Sequence, residues 1–398
     1  MLTIVDLHSC NFNGSIPKSM ATLTQLVYLD MSYNNFTGPI PSFSMAKRLT
    51  EIYLTRNDLT GKITSIQWKE LRNLKILDLG YNSLEGSIPI SLFSLPLLLE
   101  LRLSNNRFSG QFDEFSNVSS HPLYILDLSN NNLEGLVPMS VFELQGLKVL
   151  DLSSNNFNGS MQLDSIQQLK NLSNLDLSFN NLLIEHNGIN SSVSLFPQIK
   201  TLKLSSNILK TFPDFLRSQS LLLELDLSHN QIHGEIPSWI WKLPNLAHLN
   251  LSFNYLVSLE GPFLSCPTLN MLDLRSNHLH GQFPVFLPNV VYLDLSRNNF
   301  NSSIQKSIEN LPITTSFFSL SSNKFSGSIP VSICNATYLQ VLDLSNNSFN
   351  GIVPRCLIEM SEMLGVLNLG RNNLKLAQFL MHFRAIVIYK LLLLMKTN

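Results

Sequence analysis

Charge is scarce in this sequence. Only 14% of its 398 residues are Asp, Glu, Lys or Arg, against roughly a quarter in ordinary domains, so hydroxyls and amides must make up much of the surface. The formal net charge of −1 provides no field to draw in nucleic acid or an anionic membrane, and both classes of partner are set aside. Cysteine is scarce too. Cys10, Cys266, Cys334 and Cys356 are too few and too scattered for a disulfide scaffold, and no CxxC points to zinc or thiol redox chemistry. His229 and His233 are four apart and His278 and His280 two apart, but neither pair falls on a predicted helix or beside a third ligand, so no metal is expected. There is no GxSxG elbow, phosphate loop or carboxylate pair in a predicted cleft. The chain is therefore not expected to be an enzyme, and nothing asks for a cofactor.

What the sequence has in abundance is one sentence, repeated. "YLQVLDLSNNSFNGIVP" (338–354) nearly restates "PLYILDLSNNNLEGLVP" (122–138), and a fixed period of this kind indicates stacked supersecondary units. Aligned on the asparagine of LxLxxN, the chain divides into sixteen units anchored at Cys10, Asn34, Asn57, Asn82, Asn106, Asn131, Asn155, Asn180, Asn207, Asn230, Asn254, Asn277, Asn298, Asn323, Asn347 and Asn372. This pattern, LxxLxLxxNxLxGxIP, is the leucine-rich repeat.

Each position has a mechanical reason. The alternation Leu342, Asp343, Leu344 predicts a short strand with one buried and one solvated face, so that stacked units form a parallel sheet. An asparagine at the anchor can donate and accept together, satisfying backbone groups where the strand turns away. Gly follows the anchor by four in eleven units, where the backbone must turn without a Cβ, and Pro follows by seven in eight. A missing amide donor and a fixed φ suit an irregular return side. The expected fold is a leucine-rich repeat solenoid, an α/β horseshoe or right-handed superhelix. It would carry the parallel sheet on its concave face and irregular, 3-10 and short strand segments on its convex face. No unit can bury its own faces, so stability must come from neighbours.

The GxIP extension is the mark of plant-type repeats. The stretches "FPQIKTLKLSSNILKTFPDFLRSQSLLLELDLSHNQIHGEIPSWIW" (196–241) and "FFSLSSNKFSGSIPVSICNATYLQVLDLSNNSFNGIVPRCL" (317–357) resemble plant receptor-like proteins, most of all those of the verticillium-wilt disease-resistance type. The resemblance covers about residues 1–375. It implies a non-catalytic immune ectodomain on the outer face of the plasma membrane, which binds an extracellular peptide, protein or glycan and signals through receptor-like kinase co-receptors. Such receptors carry a signal peptide, a cysteine-bearing cap, further repeats and one membrane span. Here the N-terminus "MLTIVDLHSCNFNG" has no secretory signal pattern and starts inside the repeats. The segment 376–398, "LAQFLMHFRAIVIYKLLLLMKTN", keeps no repeat phase. As a membrane span it is poor, because His382, Arg384 and Lys390 interrupt it and a central Arg or Lys costs about 2.5–3.5 kcal/mol for insertion. The expected organisation is thus repeats over 1–375 and an apolar tail over 376–398. Two alternatives remain open: a truncated gene fragment without independent function, and a secreted inhibitor of a pathogen wall-degrading enzyme.

Candidate sites lie where units depart from the repeat. Four residues before the anchor stands Asp in ten units, which reads as repeat grammar. Units two to five instead expose Tyr33, Tyr53, Arg56, Tyr81 and Arg102, which neighbouring repeats should gather into one aromatic and basic ligand-binding patch, Tyr and Arg being the residues that most often anchor interfaces. A more dispersed second set is Phe179, His229, Phe253 and Arg297. Glycosylation sequons occur at Asn13, Asn35, Asn117, Asn158, Asn171, Asn190, Asn250, Asn301, Asn335 and Asn346. Cys334 and Cys356 fall in adjacent units, where an oxidising compartment would permit a disulfide.

Overall fold

The computed structural model describes residues 2–116, 122–186, 196–259, 267–281, 289–304, 311–359 and 363–375. The expected tail 376–398, Cys266 and the sequons at Asn117 and Asn190 lie outside these residues. The chain divides into two compact units, Met1–Gln219 and Ser220–Asn398.

In the first unit nine three-residue strands, from Ile4–Asp6 to Thr201–Lys203, form a parallel sheet with one strand per repeat. In the second, seven strands from Glu224–Asp226 to Val366–Asn368 are built in the same way. The middle residue of each strand turns to the core: Leu29, Ile52, Leu77, Leu225, Phe318 and Leu342 are buried and Val5 and Leu367 in the terminal strands half-buried, while the flanking residues are mostly half-buried on the solvent face. Register is strict: Tyr28, Leu29 and Asp30 pair with Glu51, Ile52 and Tyr53. Residues at equal distance from their anchors therefore form continuous rows across the sheet, about 4.8 Å apart.

The anchor asparagines knit the repeats together. Asn57 accepts from the Phe36 amide at 3.0 Å and donates to the carbonyls of Met31, Leu54 and Thr55 at 2.9, 3.2 and 3.4 Å. One side chain thus closes its own turn and ties it to the preceding unit. Cys10 takes this place in the first unit, exposed and unbridged.

Opposite the strands, the first unit has a second parallel sheet of nine strands, from Asn13–Ser15 to Ile208–Leu209. This return side is more regular than a run of irregular segments. In the second unit it is broken into sets of two, two and three strands. Short 3-10 turns such as Lys18–Thr22, Met139–Glu143 and Val331–Asn335 follow Pro17, Pro138 and Pro330, whose φ values of −62°, −66° and −76° suit the entry. Between sheet and return side lie the leucines and a column of phenylalanines, Phe300, Phe325 and Phe349, with ring centroids 5.8 and 6.3 Å apart.

Candidate ligand-recognition surface

The positions six, four and one residues before the anchor lie on the outer side of the strands, whereas the position two before it is buried in many repeats, as Ser32, Ser178 and Ser252 are. The position just before the anchor has an unusual backbone. From Ser9 through Tyr33, Arg56 and Tyr81 to Arg371, every residue just before an anchor has φ between 52° and 56°, the left-handed region that costs non-glycine residues roughly 1–2 kcal/mol. The turn requires it, because in this conformation the amide reaches the next repeat: Tyr33 donates to Thr55 O at 3.0 Å, Arg56 to Gly80 O at 3.0 Å and Tyr81 to Ser104 O at 2.9 Å. Side chains here are held away from the core whatever their chemistry.

In this turn row, Tyr33, Arg56 and Tyr81 come together. The Arg56 guanidinium carbon lies 5.3 Å from the Tyr33 ring centroid and 4.2 Å from that of Tyr81. His8, two before its anchor rather than in the turn row, adds a ring 5.1 Å from Tyr33. No carboxylate pairs with Arg56 among the described residues. A guanidinium between two aromatic faces keeps its N–H edge for a ligand.

Tyr53 and Arg102 sit elsewhere, at the ends of their strands four residues before the anchor, and both are already engaged. The Tyr53 hydroxyl donates to Glu51 at 3.0 Å, and burial together with that carboxylate pushes its phenol pKa well up. Arg102 donates to Glu100 from Nε at 3.2 Å and from an Nη at 2.8 Å, and the Tyr124 hydroxyl donates to the same carboxylate. The expected single patch is therefore two rows, one with a free cation and one neutralised by acids. The sequence reading missed Tyr28, Glu51, Glu100 and Tyr124, which reading down the strand positions themselves would have found.

The aspartates four before the anchor have a structural job. All ten accept the backbone amide two residues on, as Asp30 does from Ser32 at 2.9 Å and Asp343 from Ser345 at 3.0 Å. They close the strand-to-turn corner as Asx-type turns. Burial pushes Asp151 up to about 6, with Asp176 and Asp127 adding to the shift, and Asp273 up to about 6, with Asp294 adding.

Of the second set, His229 stacks on Phe253 with centroids 4.1 Å apart, and Arg275 lies over Phe253 at 5.3 Å. Phe179 belongs to the first unit, and Arg297 stands two repeats beyond Phe253 in the turn row. Cys334 and Cys356 form a disulfide with Cα atoms 6.1 Å apart. Asn13, Asn35, Asn158, Asn171, Asn301, Asn335 and Asn346 are exposed. Asn250 is not free: its Oδ1 accepts from the Ser252 amide and hydroxyl at 3.1 and 2.7 Å, and its Nδ2 donates to Asp226 at 3.3 Å. Among the described residues no group of three His, Cys, Asp or Glu could hold a metal, and no helix is long and apolar enough to cross a membrane.

Rows of outward-facing residues on one repeated strand-and-turn frame define a repeat solenoid. Leucine-rich repeat family models match residues 47–108, 121–182, 197–256 and 222–279, and shorter ones match 1–23, 25–45, 289–311, 315–336 and 338–360. The chain belongs to the leucine-rich repeat family. It is similar to Receptor-like protein 35 of Arabidopsis thaliana, 34% identical over 193 residues, covering 46% of this chain and 16% of that protein. It thus spans about one-sixth of that curated relative. Among solved structures it is similar to the Arabidopsis receptor kinase HAESA in complex with the peptide hormone IDA and the co-receptor SERK1 (TM-score 0.78, 28% identity, 91% of this chain and 60% of that one). A TDR receptor is similar too (TM-score 0.83, 27% identity, 94% and 64%).

Proposed function

We propose that the chain is part of the recognition ectodomain of a plant receptor-like protein, exposed at the outer face of the plasma membrane, of the disease-resistance type its irregular repeats resemble. It does no chemistry of its own. Its strand and turn rows bind an extracellular peptide, protein or glycan, and the signal passes through partner receptor kinases. The observation that carries this reading is the Tyr33–Arg56–Tyr81 stack: a cation with no carboxylate partner among the described residues, held between two rings on turns that the repeat fixes. Similarity to receptor-like proteins and to the ectodomain of a peptide-bound receptor kinase supports it.

The test is a chimaera in which residues 1–375 replace the matching repeats of a full-length receptor-like protein, expressed in leaves and challenged with fungal culture filtrates. A defence response that is lost on changing Arg56→Asn, with surface expression unchanged, is the expected result. No response to any filtrate, with the chimaera at the surface, would count against a receptor role.

A further inference from the structure

The solvent face of the second unit differs from that of the first in one row. Six residues before the anchor, five successive strands carry Met271, Tyr292, Phe317, Val341 and Val366, placed side by side by the strand register. In the first unit the same row is interrupted by Glu51, Glu100, Asn174 and Thr201. The repeat does not need apolar residues here, because the core lies on the other face. Val366 is 47% exposed, and the other four are half-buried. Four strand spacings make a lane about 19 Å long, which about six residues of extended chain would span.

Charge narrows the occupant. Asp273, Asp294 and Asp343 stand beside the lane, and no Lys or Arg occupies either strand row in this unit. The nearest base, Arg275, is taken up between Asp273 and Asp294 at 3.6 and 3.8 Å. Three carboxylates against the one guanidinium of Arg275 leave acid in excess beside the lane; burial first, and then Asp273 and Asp294, push the Tyr292 phenol up to about 12. A glycan would need open ring faces, but Tyr292 and Phe317 lie nearly parallel with centroids 4.3 Å apart, each covering a face of the other. We propose that this lane receives an extended peptide in which apolar or aromatic side chains flank a lysine or arginine. This rests on the recognition role proposed above and names the ligand chemistry of one part of its surface.

The experiment pans a randomised twelve-residue phage peptide library against the secreted full chain and measures the selected peptides by fluorescence polarisation. Enriched peptides should combine Leu, Phe or Tyr with Lys or Arg. Their affinity should fall at least about tenfold on Phe317→Ser, hold in Ile352→Ser on the second sheet, and hold in Arg56→Asn. Far-ultraviolet circular dichroism and the melting temperature verify that each variant is folded, and Val341→Thr serves if Phe317→Ser is not. Peptides rich in Asp or Glu, or peptides insensitive to the lane variants but lost with Arg56→Asn, would overturn the lane and leave the recognition role standing. No enrichment at all would remove support from both. Asn346 carries a sequon in the turn row of the same repeats, so Asn346→Gln should bind no tighter than the parent. Binding seen only after that change would mean a glycan covers the lane, and would overturn the proposal.

Discussion

The guanidinium of Arg56 lies 4.2 Å from the ring centroid of Tyr81, one repeat further on. The two residues are 25 apart in sequence and share nothing but their place just before an anchor asparagine. Both are held at positive φ by the turn, so their contact is a property of the frame rather than of local sequence.

That position allows binding to be separated from stability. Asn105, Asn130 and Asn346 occupy it natively, and asparagine tolerates the left-handed region well. Arg56→Asn and Tyr81→Asn should therefore leave the melting temperature unchanged or slightly raised, while weakening a ligand of the first unit by about 1–2 kcal/mol or more each. Tyr53→Ala, removing a ring already tied to Glu51, should weaken it less. Differential scanning fluorimetry beside a binding isotherm decides; a large loss of stability in either asparagine variant would contradict the assignment.

The anchors should be costly to lose. Asn254 accepts from the Ile232 amide at 2.9 Å and donates to the carbonyls of Leu227, Leu251 and Ser252. Asn254→Ala leaves these buried groups without their partner, and a loss of about 2–4 kcal/mol is expected. The readout is the urea midpoint, compared with Ile352→Ala as an exposed control.

Stability should fall as pH rises between about 4 and 6. Burial pushes Asp151 and Asp273 up to about 6 in the folded chain, from an ordinary value of 3.8. In that interval the folded state holds more protons than the unfolded, so this contribution is complete below the lower value and lost above the upper one. For Asp273, only 3% exposed, the change is on the order of 2 kcal/mol. Asp151→Asn keeps the acceptor, as Asn250 does natively, and should flatten the slope of urea midpoints taken at pH 4.5, 5.5 and 6.5. An unchanged slope would speak against burial as the cause.

The disulfide should stabilise the end of the second unit. It closes a 22-residue separation, for which chain entropy gives about 3 kcal/mol. Cys334→Ala with Cys356→Ala should speed hydrogen exchange in the strands Val341–Asp343 and Val366–Asn368 and leave that of Glu51–Tyr53 unaltered.

Glycans should be unevenly placed. Asn250 is tied to Asp226 and Ser252, and peptide mapping of the secreted protein should find it unmodified, with Asn13, Asn35 and Asn158 on the exposed second sheet as carriers. Full occupancy at Asn250 would show that the sugar is attached before this network can close.

The frame was legible because its causes are local and repeated. LxL is a half-buried strand, Asn at the anchor closes a turn, Gly at the fourth position accepts positive φ, as Gly86 does at 82°, and Pro opens the return side. The ten aspartates read as repeat grammar from their regularity, but their role as acceptors of the amide two residues on came from the structure. The surface was legible only as a set of candidates. Tyr33, Tyr53, Arg56, Tyr81 and Arg102 were found by their departure from the repeat, but their pairing depended on partners that the repeat does not name.

By itself the sequence determined a leucine-rich repeat frame, because the period dictates which side chains are buried and which backbone groups need partners. Tertiary structure decided which exposed residues remain available to a ligand. The Glu51–Tyr53 and Glu100–Arg102 pairs are two residues apart on one strand face, but only the register of repeats some 24 residues apart brings Tyr124 to Glu100, sets Arg56 between the rings of Tyr33 and Tyr81, and lines Met271, Tyr292, Phe317, Val341 and Val366 into one row. The latter contacts run across the repeats, perpendicular to the chain, where reading along the sequence has no neighbour to offer.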